Sequence, residues 1–160
     1  MILTPKPLTA VAFAPFGQVV ENIGKFDFKF NENRADRWHD FLKTDVDEAG
    51  RMGVSIAVSR PVTLPYALTM VERHPLGSQA FIPLNEKPFL VIVARDEGGK
   101  PASPEVFITN GLQGINYARN AWHGVLSPLD HEQRFMIVDR VEGDGNNLEI
   151  FDFEAPFVIE

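Results

Sequence analysis

The sequence predicts an all-β fold, a sandwich, a barrel or a jelly roll, and three observations lead there. Gly, Pro, Asn and Asp punctuate the chain at short, fairly even intervals; the segments between them are short and rich in β-branched and aromatic residues; and only two stretches have helical character. With 160 residues, 44% of them hydrophobic, the chain suits a single domain over residues 1–160. A domain of that size buries roughly 70% of the surface its unfolded chain exposes.

Taken in order, "LTAVAFAPFG" (8–17) reads as a short helix, with Thr9 as N-cap and Pro15 then Gly17 ending it. "FDFKF" (26–30) alternates aromatic and charged residues, as a strand with one wet face does. "RADRWHDFLK" (34–43) places Trp38, Phe41 and Leu42 on one face of a second short helix. "MGVSIAVS" (52–59), "YALTMVE" (66–72), "SQAFIPL" (78–84), "PFLVIVAR" (88–95), "EVFIT" (105–109), "RFMIVDRV" (134–141) and "NLEIFDFE" (147–154) all read as strands. Periodicity does not choose among the three architectures. A jelly roll has a tapering interior walled by alternate residues of several strands, which makes a small-molecule cavity.

Composition narrows the function. Fifteen Lys and Arg against twenty-two Asp and Glu give a net charge of −7, a field that repels nucleic acid and acidic membranes. Cysteine is absent, which excludes disulfide and thiol chemistry and fits a reducing compartment. The N-terminal "MILTPKPLTAVAFAPFG" lacks the features of a signal peptide, and no run approaches the 18 apolar residues of a membrane helix. A cytoplasmic protein acting on a small molecule is the expectation.

The polar residues inside predicted strands are the candidates for chemistry. Glu72 and His74 are two apart, so on one strand they share a face and Arg73 points the other way. Gln79 and Phe81 repeat that spacing after the "PLGS" turn, which brings the two faces opposite each other. "GINYARNAWHGVLSPL" (114–129) adds Asn116, Arg119, Asn120 and His123 beside Trp122, an indole that by default is core with its N–H on a carbonyl. Taken singly, His74 before Pro75 is an ordinary turn residue and Gln79 means little. His39 and His131 sit in polar, solvated surroundings. The joint pattern, Glu-x-His-x(4)-Gln and a histidine some fifty residues later, points to a site.

That pattern resembles the two boxes of the cupin superfamily, in which His-x-His and a Glu, then one more His, face into a jelly-roll barrel. On that resemblance Glu72 stands at the first His, His74 at the second, Gln79 at the Glu and His123 at the second-box His, so two of the four ligands are changed. "ERHPLGSQAFIPL", "FITNGLQGINYARNAWHGVL" and "RWHDF" are similar, more narrowly, to the ureidoglycolate lyase family, formerly called ureidoglycolate hydrolase, and the likeness runs from "AFAPFGQVVE" to "IVDR". The resemblance implies a cupin-like β-barrel, generally a homodimer, that splits ureidoglycolate into glyoxylate and urea in allantoin (purine) degradation. It also implies a divalent metal, often nickel, with Glu72, His74, Gln79 and His123 as its possible ligands.

The elimination needs a base for the substrate hydroxyl and an acid for the departing nitrogen, roles that suit His74 and His123, with Glu72 orienting an imidazole or acting as base. The carboxylate calls for an arginine, Arg37 or Arg119, and the ureido group for amide and hydroxyl partners among Gln79, Asn116 and Ser55. A non-catalytic cupin binding a small acid, a metal-dependent hydrolase releasing ammonia, and an iron oxygenase or isomerase are the alternatives.

Overall fold

The computed structural model describes all 160 residues. It is nearly all β, with two curled sheets that face each other in the manner of a jelly-roll barrel. The larger sheet runs in the order Ile2–Leu3, Glu149–Ile159, Tyr66–Arg73, Trp122–His123, Phe89–Ala94, Glu105–Ile108, Lys6–Pro7, and Ser127–Pro128 also pairs with Phe89–Ala94. The five-stranded sheet runs Gly17–Val20, Gly114–Tyr117, Gln79–Pro83, Gln133–Val141, Arg51–Ser59.

All eight segments read as strands contain one. The Phe89–Ala94 strand is buried at every position, because it has core on both faces. On one side Val91 and Val93 join Phe81, Ile115, Tyr117 and Phe135 between the sheets. On the other, Leu90 and Ile92 pack with Leu68 and Ile159, against which Phe153 and Phe157 of the last strand are laid. That last strand continues to Ile159, beyond the expected end at 154, with a register shift between Asp152 and Phe157. The bulge lets one strand bend around the curled sheet.

The first helix is a single turn, Ala10–Phe13, and the Thr9 hydroxyl accepts from the Ala12 N–H at 3.2 Å as a cap should. Its Phe13 is wholly buried and meets Phe107 and Tyr117. The second expected helix does not form. Ala35–Arg37 is instead a strand paired antiparallel with Phe28–Phe30, and the turn between them carries Asn31, Glu32 and Asn33 in the left-handed region. The alternation of "FDFKF" is satisfied by that partner: Lys29 bridges to Asp36 at 2.6 Å, and Trp38 packs edge-on against Phe26 rather than forming a helical stripe with Phe41 and Leu42.

Several short strands were not legible as such, among them Gly17–Val20, Gly114–Tyr117 and Trp122–His123. Gly17–Val20 pairs with Gly114–Tyr117 so closely that a Cβ on Gly17 would lie 2.0 Å from the Asn116 carbonyl oxygen. Trp122–His123 is only two residues long, yet it fills the gap between Tyr66–Arg73 and Phe89–Ala94. The short turn at 74–78 carries the chain from the larger sheet to the smaller one, and this crossing positions the site.

Candidate active site

Glu72 and His123 are direct cross-strand partners on the barrel face of the larger sheet. His74 lies one residue beyond its strand, and the turn swings its ring over that of His123, with centroids 5.2 Å apart. The Glu72 Oε1 atom is 3.9 Å from His74 Nε2 and 3.7 Å from His123 Nε2. One ligating atom from each of the three residues lies within 4.8 Å of the others.

The main chain fixes both imidazoles. His74 Nδ1 is 2.7 Å from the Asn147 carbonyl oxygen and His123 Nδ1 is 2.9 Å from that of Ala121. A carbonyl only accepts, so each Nδ1 carries the hydrogen, and in the neutral ring each Nε2 presents a lone pair. Both Nε2 atoms are buried and have no hydrogen-bond partner. The His123 ring is 2% exposed, and burial pushes its pKa down to about 3, with the Ala121 hydrogen bond opposing and His74 adding to the fall. It is therefore a neutral ring at ordinary pH.

The opposite sheet supplies the other wall. Tyr117, which the sequence reading passed over, stacks on His123 with centroids 4.1 Å apart and planes at 17°. Burial, then the Glu72 charge, raises its phenol, so the hydroxyl stays protonated. Tyr117 pairs across the strands with Gln79, and Gln79 with Asp139, so one row of three side chains faces the triad. Gln79 Nε2 donates to Asp139 Oδ2 at 3.1 Å, while Gln79 Oε1 is buried without a partner.

The structure brings Glu72, His74, Gln79 and His123 into this interior, and it places the other candidates elsewhere. Asn116 alternates with Ile115 and Tyr117, so it points out of the barrel, where its amide donates to the Lys43 carbonyl at 2.8 Å. Arg119 grips both oxygens of Asp45, each at 2.7 Å, on that same outer side. Arg37 lies over the Phe28 ring in the two-stranded hairpin. Ser55 does share the barrel-facing side, opposite Ile137, but on the outermost strand of its sheet, where it is exposed. Arg73 points away, between Asp96 and Glu149 with its guanidinium 4.3 Å from the Trp122 ring. The Trp122 indole donates to the Asp96 carboxylate rather than to a carbonyl.

Two unprotonated imidazole nitrogens and a carboxylate oxygen form a donor set that a divalent ion of intermediate softness accepts, and the orphaned lone pairs fit such an ion. Glu72, His74 and His123 are thus a possible metal-binding triad, and the same three groups are suited to moving protons.

A β-barrel with a paired-histidine and glutamate cluster inside it defines a protein with an interior small-molecule or metal site. The family model for ureidoglycolate lyase matches residues 1–160, and the chain belongs to that family. It is 56% identical to a ureidoglycolate lyase of Chelativorans sp. (strain BNC1) over 155 residues, 96% of this chain and 93% of that protein. It is 49% identical to that of Mesorhizobium japonicum over 98% of this chain and 96% of the relative, and 46% identical to that of Rhodobacter capsulatus over 97% and 96%.

Proposed function

We propose that this chain cleaves ureidoglycolate into glyoxylate and urea in allantoin degradation, the substrate its relatives' names assign to them. The observation that carries this reading is the convergence of the two orphaned Nε2 lone pairs and the Glu72 carboxylate on one enclosed spot.

Ureidoglycolate bears a hydroxyl, a ureido nitrogen and a carboxylate on one carbon. In the elimination the hydroxyl loses its proton, its C–O bond becomes the aldehyde C=O of glyoxylate, the C–N bond breaks, and urea leaves with a proton on that nitrogen. No water is consumed. His74 is the base, since it sits at the rim of the site with a free Nε2 lone pair, whereas burial makes His123 a poor holder of a proton. The hydroxyl's single proton goes to His74, so His123 accepts instead from the N–H of the ureido nitrogen on the same carbon and orients the leaving group. Glu72, within 4 Å of both Nε2 atoms, stabilises the His74 imidazolium until it returns the proton to the departing nitrogen.

Glu72, His74 and His123, with Gln79 as an alternative fourth ligand, would hold a divalent ion such as nickel, which when bound would supply Lewis acidity for deprotonating the substrate hydroxyl. Ion binding and proton transfer draw on the same lone pairs, so the test includes the ion. A homodimer working in the cytoplasm completes the reading.

Purified protein incubated with ureidoglycolate is expected to yield glyoxylate and urea in equal amounts without ammonia, before and after chelation and with nickel restored. His74→Ala and His123→Ala should each lower the rate by about 10²–10⁴-fold. Ammonia in place of urea, or full rate in both variants, would overturn the reading.

A further inference from the structure

The row formed by Tyr117, Gln79 and Asp139 contains a group that acid–base chemistry does not use. The Gln79 Oε1 atom is buried, has no partner, and lies one strand away from the tyrosine that stacks on His123. Its orientation is set by Asp139. A carboxylate accepts and cannot donate, so the 3.1 Å bond from Gln79 Nε2 fixes the amide with its NH₂ toward Asp139 and its oxygen away. The opposite orientation would press oxygen against a charged oxygen.

Apart from the Tyr117 hydroxyl, which both donates and accepts, the polar groups that the interior presents are acceptors: two Nε2 lone pairs, the Glu72 carboxylate and the Gln79 oxygen. A guest has to bring donors. The other three serve proton transfer at the reacting carbon, with Glu72 against the His74 imidazolium, or an ion, which leaves the Gln79 oxygen for a donor further out on the substrate. The terminal NH₂ of a ureido group is such a donor, and a buried acceptor left without one is costly.

We propose that Gln79 is the specificity-determining residue for the ureido group, accepting a hydrogen bond from its terminal NH₂, and that Asp139 is the positioning residue that keeps the Gln79 oxygen turned toward it. This rests on the ureidoglycolate reading above. It predicts discrimination against substrates that keep the carbinol, the carboxylate and an amide leaving group but lack that NH₂.

The probe pair is ureidoglycolate and N-acetyl-α-hydroxyglycine, in which a methyl replaces the terminal NH₂; both release glyoxylate on elimination. kcat/KM is measured for both with the parent, Gln79→Met, Asp139→Asn and Asp139→Leu, along with bound metal and thermal unfolding. The differing leaving groups affect all four proteins alike, so the informative quantity is the change in the ratio. Gln79→Met should lower the preference for ureidoglycolate by about 10–100-fold while glyoxylate release from the acetyl compound is retained. Asp139→Leu should lower the preference in the same direction, and Asp139→Asn, whose carbonyl still accepts from the Gln79 amide, should largely restore it.

Equal losses on both compounds, leaving the ratio at the parental value, would overturn the proposal and make Gln79 or Asp139 merely structural. So would loss of bound metal in Gln79→Met with both rates falling together, which would make Gln79 a ligand. No glyoxylate from ureidoglycolate with the parent protein would instead sink the functional reading on which the proposal rests.

Discussion

His74 and His123 each donate their Nδ1–H to a main-chain carbonyl, and this one choice of tautomer makes both useful inside the barrel. The ring that keeps His123 in place is Tyr117, which also meets Phe13 at 6.0 Å and Phe81 at 6.2 Å. Truncating it removes a wall of the site and a piece of the core together. Tyr117→Ala should cost about 3–5 kcal/mol in urea unfolding, whereas Tyr117→Phe keeps the stack and should stay within about 1.5 kcal/mol of the parent. The period-two rule placed Glu72 on the barrel face directly from sequence, but His74 arrived there by a turn that the rule does not describe. Asp139 was readable in principle: in "RFMIVDRV" it continues the Phe135, Ile137 alternation, an acid in line with two core residues. Tyr117 carried no such sign, since a tyrosine on a buried strand is ordinarily core. Asn116 and Arg119 were drawn in by their closeness in sequence to His123, and the same alternation that turns Tyr117 inward sends Asn116 outward.

At the scale of elements, the segment from Lys43 to Gly50 has little regular structure, yet it is tied across the outer face of the five-stranded sheet. Asp45 holds Arg119 and accepts at its carbonyl from the Ser78 N–H at 2.8 Å; Asp47 holds Arg140 at 2.6 Å and 3.1 Å. The Arg140 side chain is 5% exposed, so its charge depends on Asp47 for a partner. The hydrogen bond from Arg140, outweighing the opposing effect of burial, holds the Asp47 carboxyl below its ordinary value of 3.8. A carboxyl with a depressed folded-state pKa stabilises the fold fully above its unfolded pKa, and that contribution disappears as pH falls through 3.8 toward the folded value. Asp47→Asn should therefore melt at a lower temperature than the parent at pH 7, and the gap should narrow as pH drops from about 5 toward 3. A constant gap across that range in a calorimetric pH series would separate Asp47 from the acid response. No sequence rule locates this segment, because ion pairs formed between residues 74 and 93 positions apart have no local pattern. Strands were legible where long β-branched or aromatic runs marked them, as in Phe89–Ala94, and illegible in several that are only three or four residues long, such as Gly17–Val20, Gly114–Tyr117 and Ala35–Arg37.

Across the whole molecule, one apolar surface stands out. Arg51–Ser59 is the edge strand of its sheet, and on its outer side Val54, Ile56 and Val58 are 70%, 59% and 55% exposed. The register sets half-buried Val138 beside Val54 and Met136 beside Ile56, so the apolar stripe continues one strand inward before reaching Ala80, which is buried. An edge with free backbone groups and an apolar face is what an uncomplexed protein usually blunts with charge or a bulge, and this one carries neither between Val54 and Val58. Pairing with a second copy would cover it and would account for the homodimer proposed above. The chains repel through a net charge of −7 each, which sets the direction of the salt dependence. Screening weakens that repulsion while leaving the apolar contact in place, so added salt should tighten the dimer rather than dissolve it. Light scattering should find the parent at twice the 17.9 kDa chain mass and Ile56→Lys at the single-chain mass, with an unchanged melting curve at high dilution. An Ile56→Lys protein that stays dimeric would place the contact on some other face.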